Sequence, residues 1–396
     1  MKLRTLLFWP HLVAGVLAGA LILVMSITGV LLTYERQLVE WSNSDLASAP
    51  PSGDATRLPV QRAVASFQQA YPDLTPSSVA VGAASTDAVA VSAGLRTFYV
   101  DAYTGRVLGE GRQGMRQFMS DVRAWHRWLA AEGEARATAR AFTGWANVLF
   151  LFIVCSGLYL WFPRKWSWQH LRPVVWFARG ASGKARDFNW HNTIGIWSMV
   201  PLFIVVLSAV PMSFPWANDF VYRAAGEEPP AGRRGGGPGE GSAREGRGRG
   251  GQAVRVSVEG LDGVLQRAAQ QERDWQTMSV RLSEPSRGPV SVSIDRGAGG
   301  QPQLRSTLTL DRSGSVVRYE TFADQGPGRR IRSLMRFAHT GEVLGLTGQT
   351  IAGLATAGSV VLVWTGIALA LRRGRSWLAR RRSRREAEPM AENPAA

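Results

Sequence analysis

The sequence predicts a membrane α-helical bundle of four transmembrane helices, built as a pseudo-twofold duplication and carrying two small α+β units in its outward loops. Three observations predict it. Four apolar stretches each run for about twenty residues without a charged side chain. Basic residues flank these stretches on alternate sides. Both halves of the chain repeat one order: apolar stretch, long loop, histidine, apolar stretch.

The apolar stretches cover residues 12–33, 142–162, 193–214 and 351–371. At about 1.5 Å per residue, each is long enough as a helix to cross a ~30 Å hydrocarbon core. The first follows Lys2 and Arg4, as a signal peptide would, and Ala47-Ser48-Ala49 resembles a cleavage triplet. The stretch is too long for a signal h-region and the triplet lies well beyond it, so an uncleaved helix is expected.

Orientation follows from Lys and Arg near the helix ends. Lys2, Arg4, Arg164, Lys165, Arg172, Arg179, Lys184, Arg186, Arg372, Arg373, Arg375 and Arg380 to Arg385 fall on one side, which the positive-inside rule makes cytoplasmic. On this reading the chain is a multi-pass protein of a bacterial inner membrane, with both termini cytoplasmic and both long loops periplasmic. It divides into helix 1 (1–33), a first outer unit (34–112), an interfacial segment with His126 (113–141), helix 2 (142–162) and a basic cytoplasmic loop (163–190). Helix 3 (191–214), a low-complexity loop (215–252), a second outer unit (253–328), an interfacial segment with His339 (329–350), helix 4 (351–371) and a basic tail (372–396) follow.

The formal charge of +16 sits largely in that loop and tail. There it meets anionic lipid headgroups, and no nucleic-acid partner is expected. Cys155 is the chain's one cysteine and lies inside helix 2, so no internal disulfide forms. Without a Cys-x-x-Cys-His sequence, any haem would be held non-covalently.

Four of the five histidines precede the apolar stretches, His11 and His191 directly and His126 and His339 at a distance. Helix 1 opens with His11 and Gly15 and helix 3 with His191 and Gly195, a His-x-x-x-Gly spacing that stacks glycine one turn above histidine. Such a glycine either leaves room for a flat macrocycle held by the histidine or lets two helices pack tightly. His126 and His339 lie about sixteen and twelve residues ahead of the apolar cores, which on a straight helix is ~18 to 24 Å beyond the edge. Breaks near Gly133 and Gly345 are therefore expected, returning both rings to the membrane surface. In a bundle, His11 would face His191 and His126 would face His339. Two axial imidazoles leave haem iron no open position, which suits electron transfer. Trp125, Trp128, Trp145, Trp190 and Trp197 suit an apolar cofactor, and equally an interfacial aromatic belt. His170 has no partner histidine and reads as interfacial.

Each outer loop has a helix followed by strands. The first places a helix at 60–70, strands within 78–91 and 96–100, and a hairpin turn around Gly105. The second places a helix at 261–271, strands at 278–282, 290–294 and 305–310, and a turn at 311–315. Neither contains a nucleophile triad, metal box or phosphate loop. The Gly, Arg, Glu and Pro-rich stretch 224–252 cannot bury a core and is expected to be disordered.

Tyr99-Val100-Asp101-Ala102-Tyr103-Thr104-Gly105-Arg106-Val107, Trp125-His126-Arg127-Trp128, Trp190-His191-Asn192-Thr193-Ile194-Gly195 and Arg336-Phe337-Ala338-His339-Thr340-Gly341 together resemble the PepSY-associated transmembrane family. The outer units are then PepSY-like. The resemblance implies two b-type haems whose iron is ligated by His11, His191, His126 and His339, as in the family's inner-membrane ferrisiderophore reductases. Pro10-His11-Leu12-Val13 departs from the family pattern, lacking the basic and aromatic residues that usually follow the first histidine.

The resemblance implies an electron relay. A cytoplasmic reductase or a membrane quinol would supply the electron, and a periplasmic ferric siderophore or other ferric chelate would accept it. The chain contains no nicotinamide- or flavin-binding sequence, so the donor is separate. An alternative function is a membrane-anchored PepSY module that binds or inhibits a peptidase and needs no cofactor. Transport of a chelate is disfavoured because the helices carry almost no intramembrane acid or base.

Overall fold

The computed structural model describes residues 3–163, 166–230, 260–282, 289–311 and 314–387. Lys2, Arg164, Lys165 and residues 231–252 of the low-complexity stretch lie outside them. Two compact units result, one from Met1–Thr33, Asp121–Ser213 and Gln349–Ala396, the other from Tyr34–Ser120 and Phe214–Gly348.

The first unit contains four helices long and apolar enough to cross a membrane. They are α1 (Leu3–Thr33), α5 (Ala135–Trp161), α7 (Gly183–Ser213) and α11 (Gly345–Ala387). Two shorter helices precede α5 and α7: α4 (Gln113–Trp128) and α6 (Trp168–Val175). Because lipid cannot satisfy backbone groups, uninterrupted α-helix is the expected solution for apolar stretches of this length.

Small residues and short polar links join the helices in a ring. Ala18, Ile22 and Ala146 form the buried seam of α1 and α5. Asn147 Nδ2 donates to Val206 O at 3.0 Å between α5 and α7. Gly358 of α11 leaves room for Ser198 and Ile194 of α7. Ser359 donates to Ser26 at 2.7 Å, joining α11 to α1. One end of the bundle collects basic residues. Arg4 donates to Leu160 O, Arg372 pairs with the buried Asp187 at 3.1 Å, and Arg373 lies over the Phe8 and Trp9 rings. The starts of α1 and α7 thus share an end with the finishes of α5 and of the apolar part of α11.

The second unit corrects the expectation of two separate α+β units. Strands β1 (Ser78–Gly82), β2 (Val89–Ala93), β3 (Arg96–Val100), β4 (Val107–Glu110), β5 (Thr277–Arg281), β6 (Val290–Asp295), β7 (Arg305–Leu310) and β8 (Val316–Thr321) form one antiparallel sheet. Its order is β4-β3-β2-β1-β5-β6-β7-β8, which reads alike from either edge to the centre. Two isolated halves would each leave an edge strand with unpaired N–H and C=O groups. Pairing β1 with β5, with Val79 opposite Val280, removes both edges.

The halves also share a core. Phe67, Val91, Phe98, Val280, Ile294, Leu308 and Leu310 belong to one buried cluster. Helices α3 (Val60–Ala70) and α9 (Leu261–Gln271) contribute Phe67 and Leu265 to it, and the unit also contains α2 (Glu35–Ser42) and α8 (Pro215–Ala224). Asp262 of α9 caps α3, its carboxylate accepting from Val60 N at 2.5 Å and Gln61 N at 3.2 Å. That satisfies two of the orphan donors at a helix start. The stretch read as strand over 78–91 divides at Ala84 to Asp87, where the Asp87 carboxylate accepts from Ala84 N at 2.9 Å.

The hairpin turn before β4 has Gly105 at φ +71°, where a side chain would be strained. Asp101 holds it by accepting from Tyr103 N, Thr104 N and Thr104 Oγ1 at 2.8 to 3.0 Å and from Ala49 N at 3.3 Å. Burial pushes the Asp101 carboxyl up, but the hydrogen bonds from Thr104, Tyr103 and Ala49 together bring it below the ordinary value of 3.8. A depressed folded-state pKa stabilises the fold fully above the unfolded value and is lost as pH falls through the folded one. Asp101→Ala is therefore expected to cost about 1–3 kcal/mol at neutral pH. Denaturant midpoints should show the difference shrinking once pH drops below the ordinary carboxylate range.

Candidate functional site

Three of the four predicted histidines lie in the membrane-helix unit, and one device holds all three. His11 Nδ1, on α1, is 2.9 Å from Ser156 Oγ on α5. His191 Nδ1, on α7, is 3.0 Å from Thr365 Oγ1 on α11. His126 Nδ1, near the end of α4, is 3.0 Å from Thr28 Oγ1 on α1.

In each case the hydroxyl residue is followed by glycine. A Cβ on Gly157 would stand 3.3 Å from His11 Cε1, and one on Gly366 or Gly29 would stand 3.4 Å from Cε1 of His191 or His126. Glycine therefore lets each ring lie directly against the neighbouring helix. Ser156-Gly157, Thr365-Gly366 and Thr28-Gly29 are visible in the sequence among the hydroxyl-glycine pairs of the apolar helices, a signal that the His-x-x-x-Gly spacing does not include.

The glycines singled out from sequence differ from these. A Cβ on Gly15 would meet nothing within 4 Å, and one on Gly195 would be in ordinary contact with Leu362 at 3.8 Å. Neither brings two helix backbones together. Gly15 keeps the helix surface one turn above His11 clear.

His126 reaches α1 because α4 stops at Trp128. Leu129 and Ala130 take φ of +54° and +56°, and Gly133 takes +55°. This reversal turns the chain before α5 begins, and Thr143 Oγ1 fastens it by donating to Arg127 O at 2.8 Å. Arg127 and Arg136 stack on the Trp128 ring, with centroid distances of 4.5 and 3.8 Å.

His339 is the last residue of α10 (Pro327–His339), in the second unit. A turn through Gly341 and Gly345, at φ +76° and +64°, separates it from α11. Interrupted helix thus follows both His126 and His339. His170 Nδ1 lies 2.6 Å from Ser167 Oγ in an exposed position, apart from this arrangement.

Among the described residues no three His, Cys, Asp or Glu side chains gather as a metal-ion site. The donor groups are imidazoles on helices of an apolar bundle, with a cleared surface at Gly15. Those residues fit a planar, apolar iron macrocycle better than a bare metal ion.

Residues 8–373 match the family model described as the PepSY-associated TM region, a span that includes all four histidines. The chain belongs to that family. No curated protein matches it. In this PepSY-associated transmembrane protein, the matched span reaches across the four long apolar helices and the antiparallel sheet.

Proposed function

We propose that this chain is a di-haem b-type electron relay of the bacterial inner membrane that reduces a periplasmic ferric siderophore or other ferric chelate. One observation carries the proposal: imidazoles seated on hydroxyl-glycine pairs occur at two levels of α1, at His11 and at Thr28. Seventeen residues separate them, about 25 Å along the helix. His11 and His191 would hold the inner haem, and His126 and His339 the outer one. Haem with two imidazole ligands supplies reversible one-electron transfer without an open site for oxygen.

The chain's own residues orient the ligands, keep water out of the bundle and divide it into two stations. The basic end, with Arg4, Arg186, Arg372 and Arg373, is the cytoplasmic side on the positive-inside rule and favours anionic lipid. A cytoplasmic reductase or a membrane quinol supplies the electron. The mirrored strand order and the His-x-x-x-Gly openings of α1 and α7 support descent from a duplicated half, with the sheet unit in the periplasm. Hard Fe(III) is held far better than Fe(II) by oxygen-rich chelators, so a single electron loosens the metal.

Proteoliposomes containing the haem-loaded protein, a trapped internal reductant and an external ferric siderophore test the proposal. Fe(II) captured outside by a chromogenic chelator is the expected result, lost in His191→Ala. Haem that reduces from within while no external Fe(II) forms would contradict the acceptor assignment.

A further inference from the structure

We infer that Thr28, Ser156 and Thr365 are positioning residues that fix the tautomer and seating of His126, His11 and His191. The inference deepens the haem reading and rests on it only for what the second ring nitrogen ligates.

A hydroxyl has one proton to donate. Each of these three has the carbonyl four residues back on its own helix within easy reach. Thr28 Oγ1 donates to Val24 O at 2.6 Å, Ser156 Oγ to Phe152 O at 2.7 Å and Thr365 Oγ1 to Val361 O at 2.8 Å. Serine and threonine inside helices commonly make this back-bond. The carbonyls three residues back are farther, at 3.2 to 3.3 Å.

With its proton committed, each oxygen can only accept from the imidazole. Nδ1 therefore bears the ring hydrogen, and the lone pair resides on Nε2. The adjacent glycine seats Cε1 against the same helix, so the Nδ1–Cε1 edge of each ring is anchored.

Histidine ligands to metals are usually oriented through the nitrogen that does not bind. A carboxylate in that role makes the ring more basic. A hydroxyl already donating elsewhere is a weaker, neutral acceptor, and it leaves each ligand a neutral imidazole. The same solution at three places, on three separate helix contacts, distinguishes it from incidental packing.

The test uses full-length protein with 15N-labelled histidine, prepared free of haem in bilayers, with five histidine side chains to assign. Nitrogen shifts should place the proton on Nδ1 of His11, His126 and His191. Ser156→Ala, Thr28→Val and Thr365→Val should each release their own histidine to a mixture of tautomers. Ser156→Thr, Thr28→Ser and Thr365→Ser should restore it.

In haem titrations the first three variants should bind about 10–100-fold more weakly at the affected site, with the conservative variants recovering. Protonation at Nε2 in the parent protein, or tautomers unmoved by Val and Ala, would overturn the inference. The expected tautomers in a protein that takes up no haem would uphold the hydroxyl assignment and overturn the relay.

Discussion

His191→Ala is expected to lower bound haem from about two to about one per chain, leaving the helical content unchanged. The ligand bonds are the reason for the loss, because an apolar pocket without an axial nitrogen gives haem only dispersion and burial. The fold should survive, since the ring's interaction with Thr365 is worth only about 1 kcal/mol to stability. Haem quantified per chain, with circular dichroism beside it, checks both halves of the statement.

A companion variant separates ligation from shape. Gly366→Val keeps His191, yet even a Cβ there would stand 3.4 Å from the ring, and two further methyl groups would displace it. It should lose the same haem. Retention of about two haems in both variants would remove His191 from the ligand set.

Phe98→Ala is the second large effect, expected in the sheet unit. Phe98 is fully buried, 5.1 Å from the Phe67 ring and 4.6 Å from the Tyr71 ring. Truncating such an aromatic costs about 3–5 kcal/mol. Because Phe98 and Leu308 belong to one buried cluster across the β1–β5 pairing, Phe98→Ala and Leu308→Ala should lower the same cooperative transition. Denaturation followed by a probe in each half measures this. Two transitions, with each substitution moving one, would show that the halves fold separately.

The helices were legible because charge-free stretches of this length have few alternatives. The boundaries near His126 and His339 were legible for a related reason: straight helices would carry both rings far from the membrane, and Gly133, Gly341 and Gly345 supply the positive φ that turns the chain. The strands at β4 and β8 were harder to find. Leu108-Gly109-Glu110 lacks alternation, and in β8 the polar residues Arg318 and Glu320 belong to an exposed sheet edge.

The joining of β1 to β5 could not be read, because strand partners almost two hundred residues apart leave no local periodicity. The site was half legible. Histidine positions stood out by rarity, whereas their hydroxyl partners are ordinary residues of apolar helices. Only proximity shows that Ser156, Thr365 and Thr28 serve the rings, as they lie 145, 174 and 98 residues from them in sequence.

The relay is tested most directly by the dithionite-reduced minus oxidised visible spectrum of the purified full-length protein, expressed with haem supplied and quantified per chain. Low-spin b-type bands from about two haems per chain are predicted, one lost with His11→Ala or His191→Ala and the other with His126→Ala or His339→Ala. A folded protein without a Soret band would contradict the account.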